Sequence, residues 1–260
     1  MKNYILLITI LCSFSFNGHA QKAKLAAADK KYDNYAYIDA IKTYERVAQK
    51  GYKSVDMFQK LGNAYYFNSD YQNAAKWYAE LFAMNTELTP EYFYRYSHSL
   101  KSIGDFKKSD EMLELFNQKS GNDSRGKLSK SDYLAEIKAN SGRYDVEDAG
   151  INSKYSDYGS AIYLDKVVFT SSRDTGSLAQ RKHKWTNQYF TNLYTANFGD
   201  GMTLNGVKKF DKIINSRFHE STPAFTKDGK TMFFSRNNFI DSKKGKSESN
   251  VTLVKIYQAS

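Results

Sequence analysis

The chain repeats itself twice, with two unrelated periods, and each period dictates a different kind of structure. Asp70-Tyr71-Gln72-Asn73-Ala74-Ala75-Lys76-Trp77-Tyr78 aligns with Ala36-Tyr37-Ile38-Asp39-Ala40-Ile41-Lys42-Thr43-Tyr44 at an offset of 34, and with Asp105-Phe106-Lys107-Lys108-Ser109-Asp110-Glu111-Met112-Leu113 at an offset of 35. A period of this length with helical spacing inside it marks a helix pair that must stack on its neighbours to bury a core. In the middle unit Gly62 and Ala74 are small where two helices approach closely, while Tyr65 and Tyr78 fill the space between them. Pro90 fits the first turn of the third unit's leading helix, where a missing N–H costs nothing. That unit carries Ser97 in place of the glycine and Ser109 in place of the alanine. The first unit lacks a clear Leu-Gly pair, as suits a terminal capping repeat. Leu128 to Ala139 reads as a further amphipathic helix closing the stack.

Beyond Gly142 the period changes. Ile151-Asn152-Ser153-Lys154 recurs as Ile214-Asn215-Ser216-Arg217, Ser172-Arg173 as Ser235-Arg236, and Leu193-Tyr194-Thr195-Ala196 as Ile256-Tyr257-Gln258-Ala259, all at an offset of 63. Short apolar runs between turn signals predict strands. They fall near Gly159–Leu164, Lys166–Thr170, Phe190–Ala196 and Leu204–Phe210 in the first unit, and Thr222–Thr226, Thr231–Ser235 and Val251–Ala259 in the second. Lys227-Asp228-Gly229-Lys230 reads as a tight hairpin turn, and Tyr144–Ala149 as the outer strand of a closing blade. Two four-strand meanders do not close a ring, and the second stops before the counterpart of Leu204–Phe210. The open edge this leaves gives the expectation that the sequence is the N-terminal part of a longer protein.

Lys2, an apolar run from Tyr4 to Phe16, and small residues up to Ala20 have the pattern of a cleaved export signal. A run of thirteen residues is too short to span a bilayer core, which takes about 20. The only cysteine, Cys12, lies in that run behind Leu11, so it does not read as a lipidation site, and the mature chain holds no thiol for disulfides, zinc or nucleophilic chemistry.

Over residues 24 to 118, Leu61-Gly62, Tyr65, Ala74 and Tyr78 fall at the spacing of the tetratricopeptide signature. Ser221 to Ser235, with a Pro-Ala-aromatic strand, an Asp-Gly-Lys turn and a hydrophobic strand ending in Ser, resembles the blade of TolB-type, WD-like β-propellers. The expected fold is multidomain, α then β. A signal peptide covers 1–20, an α-solenoid of tetratricopeptide-like repeats 21–141, and an incomplete antiparallel β-propeller of about two blades 142–260. In that order the chain resembles the OmpA-family envelope proteins of Bacteroidetes, which include PorE-like components linked to type IX secretion and gliding motility. The resemblance rests on Tyr71 to Tyr78, Ile151 to Asp174 and Ser221 to Ser235. It implies a periplasmic, outer-membrane-associated scaffold. Its implied partners are envelope proteins such as a PorP/SprF-like outer-membrane protein, and peptidoglycan through a C-terminal domain that this sequence does not contain. No residue of that domain carries over.

Chemical motifs are few. The mature chain has three histidines, His98, His183 and His219, with no metal-ligand spacing, no Gly-x-Ser-x-Gly elbow and no P-loop. Gly199-Asp200-Gly201 lies in a turn between strands rather than between strand and helix. The reading is therefore no catalytic residue, no cofactor and no metal. The alternatives are a propeller-gated exported hydrolase whose catalytic domain lies elsewhere, and a TolB-like or carbohydrate-sensing binding protein.

Two partner surfaces are expected. Adjacent helical positions diverge by about 100°, so the run of tyrosines cannot all face the core, and Tyr66 and Tyr94 are the candidates for a groove on the repeats. Residues 21–140 carry 19 basic and 16 acidic side chains against 18 and 12 in residues 141–260, so the excess of positive charge sits in the β half. Lys154, Arg217, Arg181, Lys182, Lys184, Lys243, Lys244 and Lys246 fall in two loop classes that share one face of a meander. Arg173 and Arg236 are expected to join them in a basic face that attracts an anionic partner. Nucleic acid is not expected, since no recognition helix or stacking platform is evident.

Overall fold

The computed structural model describes residues 21–84, 87–121, 123–125, 133–173, 181–240, 243–248 and 251–260; the export signal and Cys12 lie outside them. Two compact units are present, one up to Arg143 together with Lys184–Thr186, the other Tyr144–His183 with Asn187–Ser260. No helix among the described residues is long and apolar enough to cross a membrane.

The first unit is a helical repeat. Its helices are α1 (21–33), α2 (Tyr37–Ala48), α3 (Val55–Tyr66), α4 (Tyr71–Met84), α5 (Pro90–Ser102) and α6 (Phe106–Ser120). The Ser54 side chain accepts from the Met57 N–H at the start of α3, Pro90 opens α5, and Asp105 accepts from the Lys108 N–H at the start of α6. Gly62 of α3 lies against the Tyr78 ring of α4 so closely that a Cβ there would sit 2.5 Å from a ring carbon. Ala74, Tyr44, Tyr78, Leu61 and Leu81 are fully buried, so the short residues and the tyrosines of the repeat interlock as expected. Ser97 and Ser109, which replace Gly and Ala in the third pair, are also buried. Ser109 Oγ donates to the Ser97 carbonyl at 2.9 Å and lies 3.0 Å from Ser97 Oγ, so two small polar residues satisfy each other across α5 and α6. Trp185 belongs to this unit, stacked on Tyr35 with ring centroids 5.7 Å apart.

The closing helix departs from expectation. α7 spans only Tyr133–Asn140, its Ile137 is 62% exposed, and residues 135–140 are all exposed. With Ile137 in solvent, the described side chains of this helix bury no apolar face. Residues 128–132 lie outside the described set.

The second unit is antiparallel. β1 (Asp157–Tyr163), β2 (Lys166–Ser171), β3 (Asn192–Phe198) and β4 (Leu204–Lys209) form a four-stranded meander in that order. β5 (Glu220–Phe225), β6 (Met232–Asn237) and β9 (Val254–Ala259) form a three-stranded sheet, and β7 (Phe239–Ile240) with β8 (Lys243–Lys244) a small extra hairpin that sequence periodicity did not suggest. The sheets are adjacent: Tyr163 stacks on Phe225 at 4.4 Å, and the Thr222 N–H donates to Thr170 Oγ1 at 3.1 Å. Among the described residues the sheets do not close into a ring. Tyr144–Ala149 is not a strand; among the described residues its ladder-like link is Leu204 N–H to Ala149 O at 3.3 Å.

The 63-residue repeat survives in three dimensions with two compensating differences. Ile162 pairs Val167, whereas Phe225 pairs Met232, so the Asp-Gly turn lengthens the second hairpin by two residues. The segment from Phe169 to Arg173 is then two residues longer than that from Phe234 to Arg236, which restores the offset.

Candidate partner-binding site

The leading helices α1, α3 and α5 carry a polar ladder that the repeat period sets up. Tyr44 donates to Asp29 Oδ1 at 2.7 Å, and one repeat later Tyr78 donates to Asn63 Oδ1 at 2.8 Å. Each acceptor also takes a cation from the next leading helix: Lys60 reaches Asp29 and Arg95 reaches Asn63, both at 2.8 Å. Each cation in turn pairs one helical turn back, Lys60 with Asp56 at 2.9 Å and Arg95 with Glu91 at 3.1 Å.

His98 holds the third position of this series, 35 residues after Asn63. The α6 counterpart of Tyr78 is Leu113, which has no hydroxyl to offer. His98 instead meets the candidate groove tyrosines. Its Nδ1 lies 3.1 Å from the Tyr66 hydroxyl, and its ring stacks on Tyr94 at 6.3 Å with an 11° tilt. Tyr66 and Tyr94 are thus brought together through His98, a residue to which no sequence motif drew attention. Arg95 lies 4.9 Å over the Phe67 ring and Arg125 4.5 Å over the Tyr94 ring, while Arg125 also pairs with Glu91 at 3.0 Å. The result is a half-buried surface of aromatic faces, guanidinium groups and one imidazole. Burial, and then the nearby charge of Lys101, lowers the His98 pKa, so the ring is neutral at pH 7. Burial also raises the Tyr66 hydroxyl. The surface therefore presents neutral hydrogen-bonding groups beside two guanidinium groups that lie over aromatic rings and pair with Glu91 and Asp123. Arg95 and His98 were missed in the sequence, although Lys60/Arg95 and Asp56/Glu91 recur at the repeat offset and could have revealed the ladder.

In the second unit the predicted loop classes do meet. Lys154 lies over the Tyr155 ring at 5.4 Å, Tyr155 packs on Tyr189, and Lys182 lies over Tyr189 at 5.2 Å. Arg217 lies 5.3 Å over Phe218, which packs on Phe239 of the small hairpin. Lys154, Arg181, Lys182, Arg217 and Lys246 are exposed. Lys184 groups with the first unit, and the side chains of Lys243 and Lys244 lie outside the described set.

Arg173 and Arg236 are placed differently from their predicted rim position. Arg173 Nη2 donates to Asp157 at 2.9 Å and to the Ile151 carbonyl at 2.9 Å, with its guanidinium over Phe169 and Tyr194. Arg236 repeats this with Glu220 at 3.1 Å and the Ile214 carbonyl, over Phe234 and Tyr257. Ser153 and Ser216 add hydroxyl donors to the same carboxylates. These arginines lock the entry of each meander and are committed inside it. Burial pushes the two carboxyls up; hydrogen bonds from Ser171, Arg173 and Ser153 outweigh it and leave Asp157 lowered, whereas Glu220, with a fully buried side chain, stays raised. Nearby, His183 and His219 meet edge to face at 5.0 Å, and burial, helped by His183, pushes His219 down to about 4.

No protein-family model matches the chain, and no curated protein matches it either. Solved structures that the chain matches in part include the C-terminal part of a TPR repeat-containing protein from Cytophaga hutchinsonii, at 21% identity and TM-score 0.34, covering 36% of this chain and 38% of that one. PcrH in complex with the chaperone binding region of PopB matches at 14% identity and TM-score 0.34, over 46% of this chain and 94% of that one. The type III secretion translocator chaperone SycD from Yersinia enterocolitica matches at 17% identity and TM-score 0.33, over 47% and 90%. At these scores the likeness bears on no functional argument, and the helical repeat rests on the chain's own contacts.

Proposed function

We propose that the protein is a non-catalytic scaffold for protein–protein interaction, with the leading-helix face around Tyr66, Arg95, Tyr94 and His98 as its binding surface. The carrying observation is the end of the polar ladder. Where two repeats close their acceptor with a tyrosine, the third turns His98 toward Tyr66 and Tyr94 instead. In the finer reading the chain is exported to the periplasm and works at the outer membrane. There it would join envelope proteins of a type IX secretion or gliding apparatus to peptidoglycan, as a relative of the Bacteroidetes OmpA-family proteins. That reading draws on the signal-like N-terminus and on the order of helical repeat followed by antiparallel meanders.

The test places a photo-crosslinking amino acid at Tyr94 and, separately, at Lys107 in the producing cell, alongside fractionation. A periplasmic protein captured at Tyr94, lost in an Arg95→Glu background and absent at Lys107, supports the proposal. Cytoplasmic location overturns the envelope role, and equal capture at both positions overturns the assigned face.

A further inference from the structure

The 63-residue repeat sets the same arrangement at the entry of both meanders: an exposed cation lying on the aromatic ring of the next residue. Lys154 lies 5.4 Å over the Tyr155 ring, and Arg217, its counterpart, 5.3 Å over the Phe218 ring. Each ring is backed by a second one, Tyr155 by Tyr189 at 5.5 Å and Phe218 by Phe239 at 4.7 Å. Tyr189 carries a cation of its own, Lys182 at 5.2 Å, and the adjacent Phe190 packs edge to face on Phe218 at 6.4 Å. The two arrangements therefore belong to one connected set of rings. Arg181, next in the chain to Lys182, is exposed.

Among the described residues none of Lys154, Arg181, Lys182 and Arg217 pairs with a carboxylate. The acidic residues that open the two meanders, Asp157 and Glu220, are taken inside by Arg173 and Arg236. The most acidic stretch of this half, Asp145 to Asp148, ends in a carboxylate that accepts from the Gly150 N–H at 2.7 Å and from Asn152 Nδ2 at 2.8 Å. A ring beneath a cation narrows the freedom of a long side chain, so less ordering is left to be supplied on binding. The rings are buried or half-buried; they seat the cations rather than offer a platform for a nucleic-acid base, and none is exposed enough to enter a lipid surface.

We propose that these ring-seated cations form a docking surface for an acidic segment of another polypeptide, whose Asp and Glu side chains pair with Lys154, Arg181, Lys182 and Arg217. Charge complementarity brings the segment in, and the seated geometry of the cations holds it. A second copy of this chain is disfavoured as the occupant, because a protein with a formal net charge of +10 repels its own copies. The surface lies in the second unit and stands or falls independently of the helical face.

The probe is a fluorescein-labelled oligoglutamate of about eight residues, titrated into the full chain by anisotropy at about 50 mM NaCl. Saturable binding is expected, weakened at least about threefold at about 300 mM NaCl, where exposed charges are screened. Lys154→Glu with Lys182→Glu should weaken it at least about tenfold. Arg181→Glu with Arg217→Glu should do the same, so that misfolding of one pair, seen in a thermal melt, leaves the other to decide. Lys227→Glu with Lys230→Glu makes the same change in net charge at the turn between β5 and β6, and should leave binding within about twofold. Absence of saturation, or equal losses in all three double variants, overturns the proposal. Tighter binding of an oligothymidylate, or of vesicles made of equal parts phosphatidylglycerol and phosphatidylcholine, overturns the stated occupant.

Discussion

Arg95 Nη1 donates to Asn63 Oδ1 at 2.8 Å across one repeat, on an oxygen that already accepts the buried Tyr78 hydroxyl at 2.8 Å. Asn63 Nδ2 also donates to the Tyr32 hydroxyl at 3.2 Å, so one amide joins α1, α3, α4 and α5. Removing it should cost more than removing any one partner. Asn63→Leu strands the Tyr78 hydroxyl in the core and should destabilise the helical unit by roughly 2–3 kcal/mol, while Tyr78→Phe leaves Arg95 on the amide and should cost about 1 kcal/mol. Urea unfolding followed by tryptophan fluorescence measures both, and a Tyr78→Phe loss as large as that of Asn63→Leu would refute the shared-acceptor account.

Gly62 gives a second prediction with the opposite sign from helix propensity. In an exposed helix Gly→Ala gains about 1 kcal/mol. Here the new methyl would sit 2.5 Å from Tyr78 Cε1 and 2.7 Å from its Cδ1, in a ring that is fully buried and hydrogen-bonded. Gly62→Ala should therefore destabilise by about 1–3 kcal/mol. Tyr78→Phe should not rescue it, because the clashing carbons remain. A melting temperature at or above that of the native chain would show that α3 and α4 are less tightly apposed.

The close approach of Gly62 and Tyr78 was legible in the sequence because it is local to one repeat and recurs with its period. Ser97 and Ser109 were recognised as departures, but their mutual hydrogen bond depends on facing positions in α5 and α6 that spacing alone does not display. The ladder was hidden for a different reason. Lys60 to Asp29 and Arg95 to Asn63 join different repeats, so each half looks like an ordinary surface charge until leading helices are set side by side. In the β half, the offset of 63 found the strands yet misplaced Arg173 and Arg236. Each follows a serine at or just past the end that the sequence pattern gives its strand, where a basic residue ordinarily faces solvent, although β6 in fact runs on through Arg236. The carboxylates that draw them inward, Asp157 and Glu220, recur at the same offset and were the available signal.

His219 makes the second unit sensitive to acid. Its Nδ1 accepts the Thr191 N–H at 3.1 Å, which only the neutral ring can do, and its pKa lies near 4 in the fold against about 6.5 when unfolded. Between those values the unfolded chain binds a proton that the folded chain does not. The contribution is complete above about pH 6.5 and is lost as pH falls toward 4. Glu220, raised by burial, acts in the opposite sense, gaining stability as pH falls through its raised value. Comparing the native chain with His219→Gln at each pH separates the two. From pH 7.5 to 4.5 the native chain should lose roughly 2–3 kcal/mol relative to the variant, read from urea melts by circular dichroism. Parallel pH profiles would rule out the histidine as the source.

The two kinds of arginine in the second unit can be told apart by their cost. Glu220 has a side chain with no exposed surface, and Arg236, itself only 15% exposed, is its cation at 3.1 Å. Arg236→Met removes the charge while keeping much of the apolar contact with Phe234 and Tyr257, and leaves a buried carboxylate alone. A loss of about 3–5 kcal/mol is expected, with recovery in the double variant Arg236→Met, Glu220→Gln, which removes the orphaned charge as well. Arg217 is exposed and lies on Phe218 and Phe239, so Arg217→Glu should change stability by no more than about 0.5 kcal/mol. Denaturation midpoints of the three variants decide the matter. Similar losses for Arg236→Met and Arg217→Glu, or no recovery in the double variant, would mean that Arg236 is not the lock of the second meander.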